Sequence, residues 1–121
     1  MPTKISHEDV AIWMERLKAG WVNKQKNEVL KLFTNTERYY ERPFNPGTTI
    51  EEIKGYWNDI DQLENITFDY EIVAIEGATA CIHWNNEYIY EDKDHQLDGM
   101  FLIKFNDEKE CIEFRQWWME K

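Results

Sequence analysis

Residues 97–118, LDGMFLIKFNDEKECIEFRQWW, carry the clearest structural pattern in this chain. Two runs of β-forming residues flank residues 106–109, a polar break with the length and composition of a hairpin turn. Alternate positions of the first run, such as Phe101 and Ile103, share one apolar face, and so do Phe114 and Trp118 in the second. Because each strand is apolar on one face, the hairpin needs a second layer to pack against.

Composition predicts one globular domain spanning residues 1–121. Apolar residues make up 42% of the chain and charged residues 31%, which is enough apolar surface for a core. The formal net charge of −10 argues against a nucleic-acid or membrane partner, because phosphate groups bind clustered Lys and Arg. The first residues show no apolar secretory segment, and no run of about 18 apolar residues occurs. We therefore expect a cytoplasmic location.

Three amphipathic helices are predicted in the first half of the chain. The first is capped by Ser6 and carries a Trp-rich apolar stripe. A short second helix covers residues 28–33, and a third begins at Thr48 or Thr49 and continues to about Ile60. Gly55 lies inside the third helix, where it weakens the helix and is a candidate for a close backbone approach.

Strands follow the helices. Residues 37–42, ERYYER, predict a short strand bounded by a proline. From residue 63 the apolar period becomes two, with an interruption at residues 73–75 that is typical of a bulge. Residues 78–90 alternate again, and residues 91–95 form a charged turn into the hairpin. This order predicts an α+β fold: a cone-shaped, curved antiparallel sheet of four long strands plus one short strand, wrapped around three N-terminal helices. The open end of such a cone is a natural pocket.

Over essentially its whole length the chain resembles the nuclear transport factor 2-like superfamily, and within it the small SnoaL-like domains. The resemblance rests on the Trp-rich first helix, on VLKLF followed by ERYYERPF, on IEEIKGYW and above all on DGMFLIKFNDEKECIEFRQWW. It implies a cystatin-like α+β barrel with a helix-lidded cavity, and commonly a homodimer formed through the outer face of the sheet. Function in such a superfamily depends on the pocket residues of each branch.

The resemblance also allows ketosteroid isomerase chemistry to be considered residue by residue. In those isomerases the catalytic base is a carboxylate directly before a proline on the first short strand. Here Arg42 precedes Pro43, and Glu41 lies one residue further back. The acid of the isomerase oxyanion hole falls at Phe101, which cannot donate that hydrogen bond, and the helix tyrosine falls near Leu17. Isomerase chemistry is therefore disfavoured.

The candidate site residues lie on faces expected to point into the cone. Glu41 either acts as a general base, if burial raises its pKa, or forms a surface pair with Arg42 or Arg38. The other candidates are apolar or aromatic and are Leu17, Tyr39, Trp57, Ile82, Trp84, Tyr88, Phe101, Ile103, Phe114 and Trp118. Such residues either bind a small apolar or aromatic molecule or only pack a core. The sequence leaves open which face of residues 78–90 lines the cavity.

Other chemistry has little support in the sequence. His83 is either an acid–base group or a hydrogen-bonded strand residue, and His7 and His95 are expected in a cap and a turn. Cys81 and Cys111 are isolated, which favours reduced thiols over a disulfide or a metal site. No metal-ligand spacing or phosphate-binding loop occurs, so we expect no metal and no cofactor.

Three functions follow from these patterns. The leading hypothesis is a non-catalytic or weakly catalytic protein that binds a small apolar, aromatic or cyclic molecule. The second is an enzyme of the isomerase, cyclase or hydrolase kind that uses Glu41. The third is a homodimeric interaction module whose outer sheet face, with Ile89 and Met100, is the functional surface.

Overall fold

The computed structural model describes residues 4–121. Its helices are α1 (His7–Val22), α2 (Lys26–Lys31) and α3 (Ile50–Tyr56), followed by a 3-10 helix at Asn58–Gln62. Its strands are β1 (Arg38–Tyr40), β2 (Glu64–Glu76), β3 (Thr79–Tyr90), β4 (Lys93–Phe105) and β5 (Cys111–Glu120). Within this described part, no helix has the length and apolar character needed to cross a membrane.

All five strands form one sheet in the order β1-β5-β4-β3-β2. Strands β2 to β5 are an antiparallel meander, and the α+β fold with four long strands and one short strand is confirmed. The prediction that every strand is antiparallel is wrong, however, because β1 pairs with β5 in parallel, with Tyr39 opposite Phe114. Hairpins force β2 to β5 to alternate in direction, whereas β1 reaches β5 through a long connection and is free of that constraint.

Helix α1 begins with a capping box. The backbone N–H of Asp9 donates to the Ser6 hydroxyl, and the Ser6 N–H donates to the Asp9 carboxylate, at 3.0 and 3.1 Å. This arrangement satisfies two of the backbone donors that a helix start leaves open. The apolar stripe of α1 is buried against the sheet, and Trp13 packs edge-on against Phe33 and Phe105.

The inner face of the sheet is the one that carries Ala80, Ile82, Trp84 and Asn86, all nearly or fully buried. The sequence leaves open which face of residues 78–90 points inward, and in the structure it is the face that carries these four residues. The bulge in β2 is also confirmed, since the register with β3 shifts between Ile72 and Ala74.

Two local expectations are corrected. Helix α3 ends at Tyr56 and gives way to the 3-10 helix, and a Cβ at Gly55 would meet nothing within 4 Å beyond its chain neighbours and its own helix backbone, so no other element approaches closely at Gly55. Strand β4 begins at Lys93, which places His95 on a strand rather than in a turn. Pairing of His95 with Tyr88 across the β3–β4 hairpin extends the strand in spite of its polar sequence.

Candidate ligand-binding pocket

A cavity of about 240 Å³ lies between the inner face of the sheet and the segment formed by α3 and the 3-10 helix. Its size is slightly below the usual range for drug-sized ligands, which suits a molecule of one or two rings. Most of its wall is aromatic: Trp21, Tyr39, Tyr56, Trp57, Trp84, Tyr88, Tyr90, Phe101, Phe114 and Trp118. The remaining wall residues are Glu41, Asp59, Ile60, Leu63, Asn86, Leu97 and Gln116.

The Trp84 ring lies close against Gly99. A Cβ at Gly99 would lie 2.5 Å from Cζ2 and 2.7 Å from Cε2 of the Trp84 indole. Gly99 is opposite Trp84 in the β3–β4 register, so the missing side chain makes the space that the ring occupies. Trp21 packs nearby, with its ring centroid 6.1 Å from that of Trp84 and 4.7 Å from that of Phe68.

The aromatic rings next to β1 and β5 form a second packed group. The rings of Tyr39 and Phe114 stack at 4.8 Å, and those of Phe114 and Phe101 lie 4.7 Å apart. Tyr56 stacks on Tyr39 at 5.3 Å from the side of α3. These contacts give the cavity rigid walls, because each ring is fixed by at least one neighbour.

Glu41 and Asp59 are the two carboxyl groups of the cavity wall, and Glu41 has a shifted pKa. Its Oε2 accepts a hydrogen bond from Nε2 of Gln116 at 2.9 Å. Burial raises the pKa of the Glu41 carboxyl from its ordinary value to about 7, although Tyr39, Arg42 and Gln116 all oppose the rise. Burial also raises the pKa of the Tyr39 phenol well above its usual range, so Tyr39 stays protonated. The surface pair with Arg38 or Arg42 is therefore not the main environment of Glu41.

Three buried polar atoms in the wall have no hydrogen-bond partner among the described residues. They are the indole nitrogens of Trp57 and Trp84 and the side-chain oxygen of Asn86. The other side-chain atom of Asn86, Nδ2, donates to the carbonyl oxygen of Thr67 at 2.7 Å. Burying one such group without a hydrogen-bond partner lowers the free energy of unfolding by about 1–3 kcal/mol.

The structure brings most of the candidate residues together. Eight lie in the cavity wall: Tyr39, Glu41, Trp57, Trp84, Tyr88, Phe101, Phe114 and Trp118. Leu17, Ile82 and Ile103 do not, and are fully buried in the core instead. Ile82 and Ile103 share the inward face with the wall residues, but they lie toward the end of the sheet that α1 covers with Trp13.

Sequence reasoning missed nine wall residues, namely Trp21, Tyr56, Asp59, Ile60, Leu63, Asn86, Tyr90, Leu97 and Gln116. Asn86 and Gln116 carried a usable signal, because each is an amide on an otherwise apolar strand face. Both are buried, at 0% and 6% exposure. A polar residue kept inside a core is expected to have a partner or a function.

The histidines and cysteines lie outside the cavity wall. His83 is on the outer sheet face, where its Nε2 lies 2.9 Å from Asp98, and this hydrogen bond raises its pKa. His95 lies 2.9 Å from Glu120 and stacks on Tyr88. Cys81 and Cys111 are both free thiols, and burial raises the pKa of Cys111 to about 12. Residues 4–121 contain no group of three or more His, Cys, Asp or Glu placed to hold a metal ion.

Comparison with known proteins finds likeness in structure alone. No protein-family model matches the chain, and no curated protein matches it in sequence. Among solved structures, AusH from Aspergillus nidulans superposes with a TM-score of 0.78 at 13% identity, covering 94% of this chain and 86% of AusH. An LEH-like epoxide hydrolase from M. tuberculosis superposes with a TM-score of 0.69 at 12% identity, covering 93% of this chain and 84% of the hydrolase.

An NTF2-like protein of unknown function from Exiguobacterium sp. 255-15 gives a TM-score of 0.71 at 13% identity. The superposition covers 92% of this chain and 98% of that protein. Identities this low show a common fold and leave the activity of this chain open.

Proposed function

We propose that this chain, which has the fold of the nuclear transport factor 2-like superfamily, binds a small, mainly apolar, ring-containing molecule in the cavity beneath α3. The observation that supports the proposal is an aromatic wall built around a cavity of about 240 Å³. The chain's own core residues leave this space open, although the rest of the inner face is packed. Apolar pockets with a few polar groups are the usual form of a small-molecule site.

A thermal-shift screen of one- and two-ring compounds tests this proposal. A compound present at one hundred times its Kd stabilises the fold by about 2.7 kcal/mol, which is an increase in Tm of roughly 5 °C or more for a domain of this size. We expect such increases with naphthalene- or indane-sized compounds and none with open-chain polar compounds of the same mass. No increase with any ring compound would contradict the proposal.

The chain supplies its own matched control in two adjacent tryptophans. Trp118 lies in the cavity wall, whereas Trp117 points to the opposite face of β5, and the two are similarly exposed at 38% and 43%. We expect Trp118→Ala to reduce the ligand-induced change in Tm by half or more, and Trp117→Ala to leave it unchanged. Equal losses in both variants would mean that the compounds act elsewhere.

A second candidate function is favoured by Glu41, which lies in the wall and is partly desolvated. A carboxylate with a pKa of about 7 is suited to accept a proton from carbon or water near neutral pH. We therefore propose general-base catalysis as the alternative. Deuterium exchange at the acidic C–H of a bound ring ketone, followed by NMR, would be accelerated by the native protein, with a rate that rises through pH 7. Glu41→Gln is expected to lower that rate about 100-fold or more, and an unchanged rate would exclude this role.

We also propose a homodimer formed through the outer face of the sheet. Trp117 and Met119 are 43% and 78% exposed there, and Trp117 is opposite Met100 in the β4–β5 register. The exposed side chains of Trp117 and Met119, with the partly exposed Met100 beside Trp117, form an apolar patch that supports a second copy of this chain as the partner. Sedimentation velocity at micromolar concentration is expected to show a dimer that Trp117→Glu converts to a monomer. A native monomer would contradict this proposal.

A further inference from the structure

The cavity wall carries negative charge without positive charge. Its two carboxyl groups belong to Glu41 and Asp59, and the described residues that line it include no Lys, Arg or His. The chain as a whole has a formal net charge of −10. A cleft with walls of one charge sign concentrates ligands of the opposite sign and repels ligands of the same sign. The charge of this cavity therefore favours a positively charged ligand.

The basic residues next to the wall lie outside the cavity. Arg42 follows Glu41 in the chain, and Nζ of Lys24 donates to the carbonyl oxygen of the wall residue Leu63 at 2.9 Å. Both basic residues are exposed, and neither belongs to the wall. Water and salt screen exposed charges, so these two residues leave the negative charge inside the cavity largely uncompensated.

Glu41 is the carboxylate that a ligand in the cavity can pair with most strongly. It is half-buried and part of the wall, whereas Asp59 is exposed. The side chains that hydrogen-bond the Glu41 carboxyl are those of Gln116 and Tyr39, and both are neutral. A carboxylate has about four lone-pair positions, so Glu41 keeps the capacity to accept from a further donor. A cation beside it would offset the unfavourable burial of its negative charge.

We propose that the ligand of this cavity is a ring-containing amine whose ammonium group pairs with Glu41 while its ring lies among the aromatic side chains. The ammonium nitrogen donates to the Glu41 carboxylate, and Asp59 adds a weaker, solvent-screened attraction. Aromatic walls suit such a ligand, because they bury its ring and their faces also attract cations. This inference rests on the proposed binding function and specifies its ligand.

The test compares 2-aminoindane, 2-indanol and indane-2-carboxylate, which share one ring system and are positively charged, neutral and negatively charged. Affinities for the native protein are measured by calorimetric titration at about pH 8. We expect 2-aminoindane to bind about tenfold more tightly than 2-indanol, which is the effect of one net hydrogen bond to a charged group. Indane-2-carboxylate is expected to bind about tenfold more weakly than 2-indanol, because its charge has the same sign as the wall.

The pH dependence separates a pair with Glu41 from general attraction to an acidic protein. A protonated Glu41 cannot pair with an ammonium group, and its pKa of about 7 makes the proton compete with the amine below pH 7. We expect the affinity for 2-aminoindane to be about tenfold or more lower at about pH 5.5 than at about pH 8. The amine stays protonated at both pH values, as a lysine side chain does. The affinity for 2-indanol is expected to change about twofold or less.

Glu41→Gln removes the charge and is expected to reduce the preference for 2-aminoindane over 2-indanol to about twofold or less, and to abolish its pH dependence. The variant keeps His95, which stacks on the wall residue Tyr88, so a pH effect from that histidine would persist in it. Glu87→Gln is the matched control, because it removes the same charge from the exposed outer face of β3. It is expected to keep the native preference.

A preference for the amine that survives in Glu41→Gln would overturn the inference. So would equal affinity of the native protein for 2-aminoindane and 2-indanol, or tighter binding of indane-2-carboxylate than of 2-indanol. These outcomes leave the ring-binding proposal intact, whereas no binding of any of the three compounds would overturn both.

Discussion

Replacing Glu41 with glutamine tests whether the aromatic wall desolvates this carboxyl group. Gln has nearly the same shape as Glu and keeps an oxygen that can accept the hydrogen bond from Gln116, but it cannot ionise. The pKa of Glu41 is raised from 4.5 to about 7 in the folded protein. Each unit of difference between the two pKa values corresponds to about 1.4 kcal/mol. Ionisation of Glu41 therefore lowers the free energy of unfolding by at most about 3 kcal/mol.

The direction of the effect follows from which state releases its proton first. Below pH 4.5 the carboxyl is neutral in both the folded and the unfolded chain and has no effect. As the pH rises, the unfolded chain ionises first, so native stability falls until the folded protein has also ionised, above pH 7. We therefore expect Glu41→Gln to match the native protein near pH 4.5 and to become more stable by about 2–3 kcal/mol at pH 8.5.

Urea denaturation at half-unit steps from pH 4.5 to pH 8.5 measures this difference directly. Glu87→Gln is the matched control, because Glu87 is exposed on the outer face of β3 and its loss changes the net charge by the same amount. We expect the free energy of unfolding of Glu87→Gln to differ from that of the native protein by the same amount at every pH in this range. A free energy difference for Glu41→Gln that does not change with pH would refute the view that Glu41 is desolvated in the wall.

Three further substitutions test the fold at single positions. Gly99→Ala puts a Cβ 2.5 Å from the Trp84 ring, and we expect a loss of about 1–3 kcal/mol in urea denaturation, together with an altered Trp84 fluorescence. Gly55→Ala fills open space on α3, so calorimetry is expected to show a gain of about 0.5–1 kcal/mol. Ser6→Ala removes the hydroxyl that accepts the Asp9 N–H, and the same calorimetry is expected to show a loss of about 1 kcal/mol.

Local patterns were enough to predict most of the fold. The alternation of Phe101, Ile103 and Phe114 defined two strand faces, and the structure buries all three. The parallel pairing of β1 was not predictable, because three residues carry no direction of their own and their alignment depends on the free edge of β5. Helix α3 also ends before the last residue of its apolar repeat. That residue, Ile60, lies in the following 3-10 helix and is buried there, so its burial does not require a longer α-helix.

The cavity was harder to predict, because small displacements along an element decide whether a residue packs or faces open space. Leu17 and Trp21 are one helical turn apart on α1, yet Leu17 is in the core and Trp21 is in the wall. Ile82 and Trp84 differ in the same way along β3. Periodicity determines the face on which a side chain lies, but the crossing point of helix and sheet determines its depth.

The six tryptophans of the chain allow the binding of a ring molecule in this cavity to be followed in one spectrum. Four of them lie in the cavity wall: Trp21, Trp57, Trp84 and Trp118. Trp13 and Trp117 do not. Titration of ¹⁵N-labelled protein with 2-naphthol is expected to shift the indole resonances of the four wall tryptophans in a saturable manner and to leave those of Trp13 and Trp117 in place. Shifts that are as large at Trp13 or Trp117 as in the wall, or no saturable shift at all, would contradict binding of a ring molecule in this cavity.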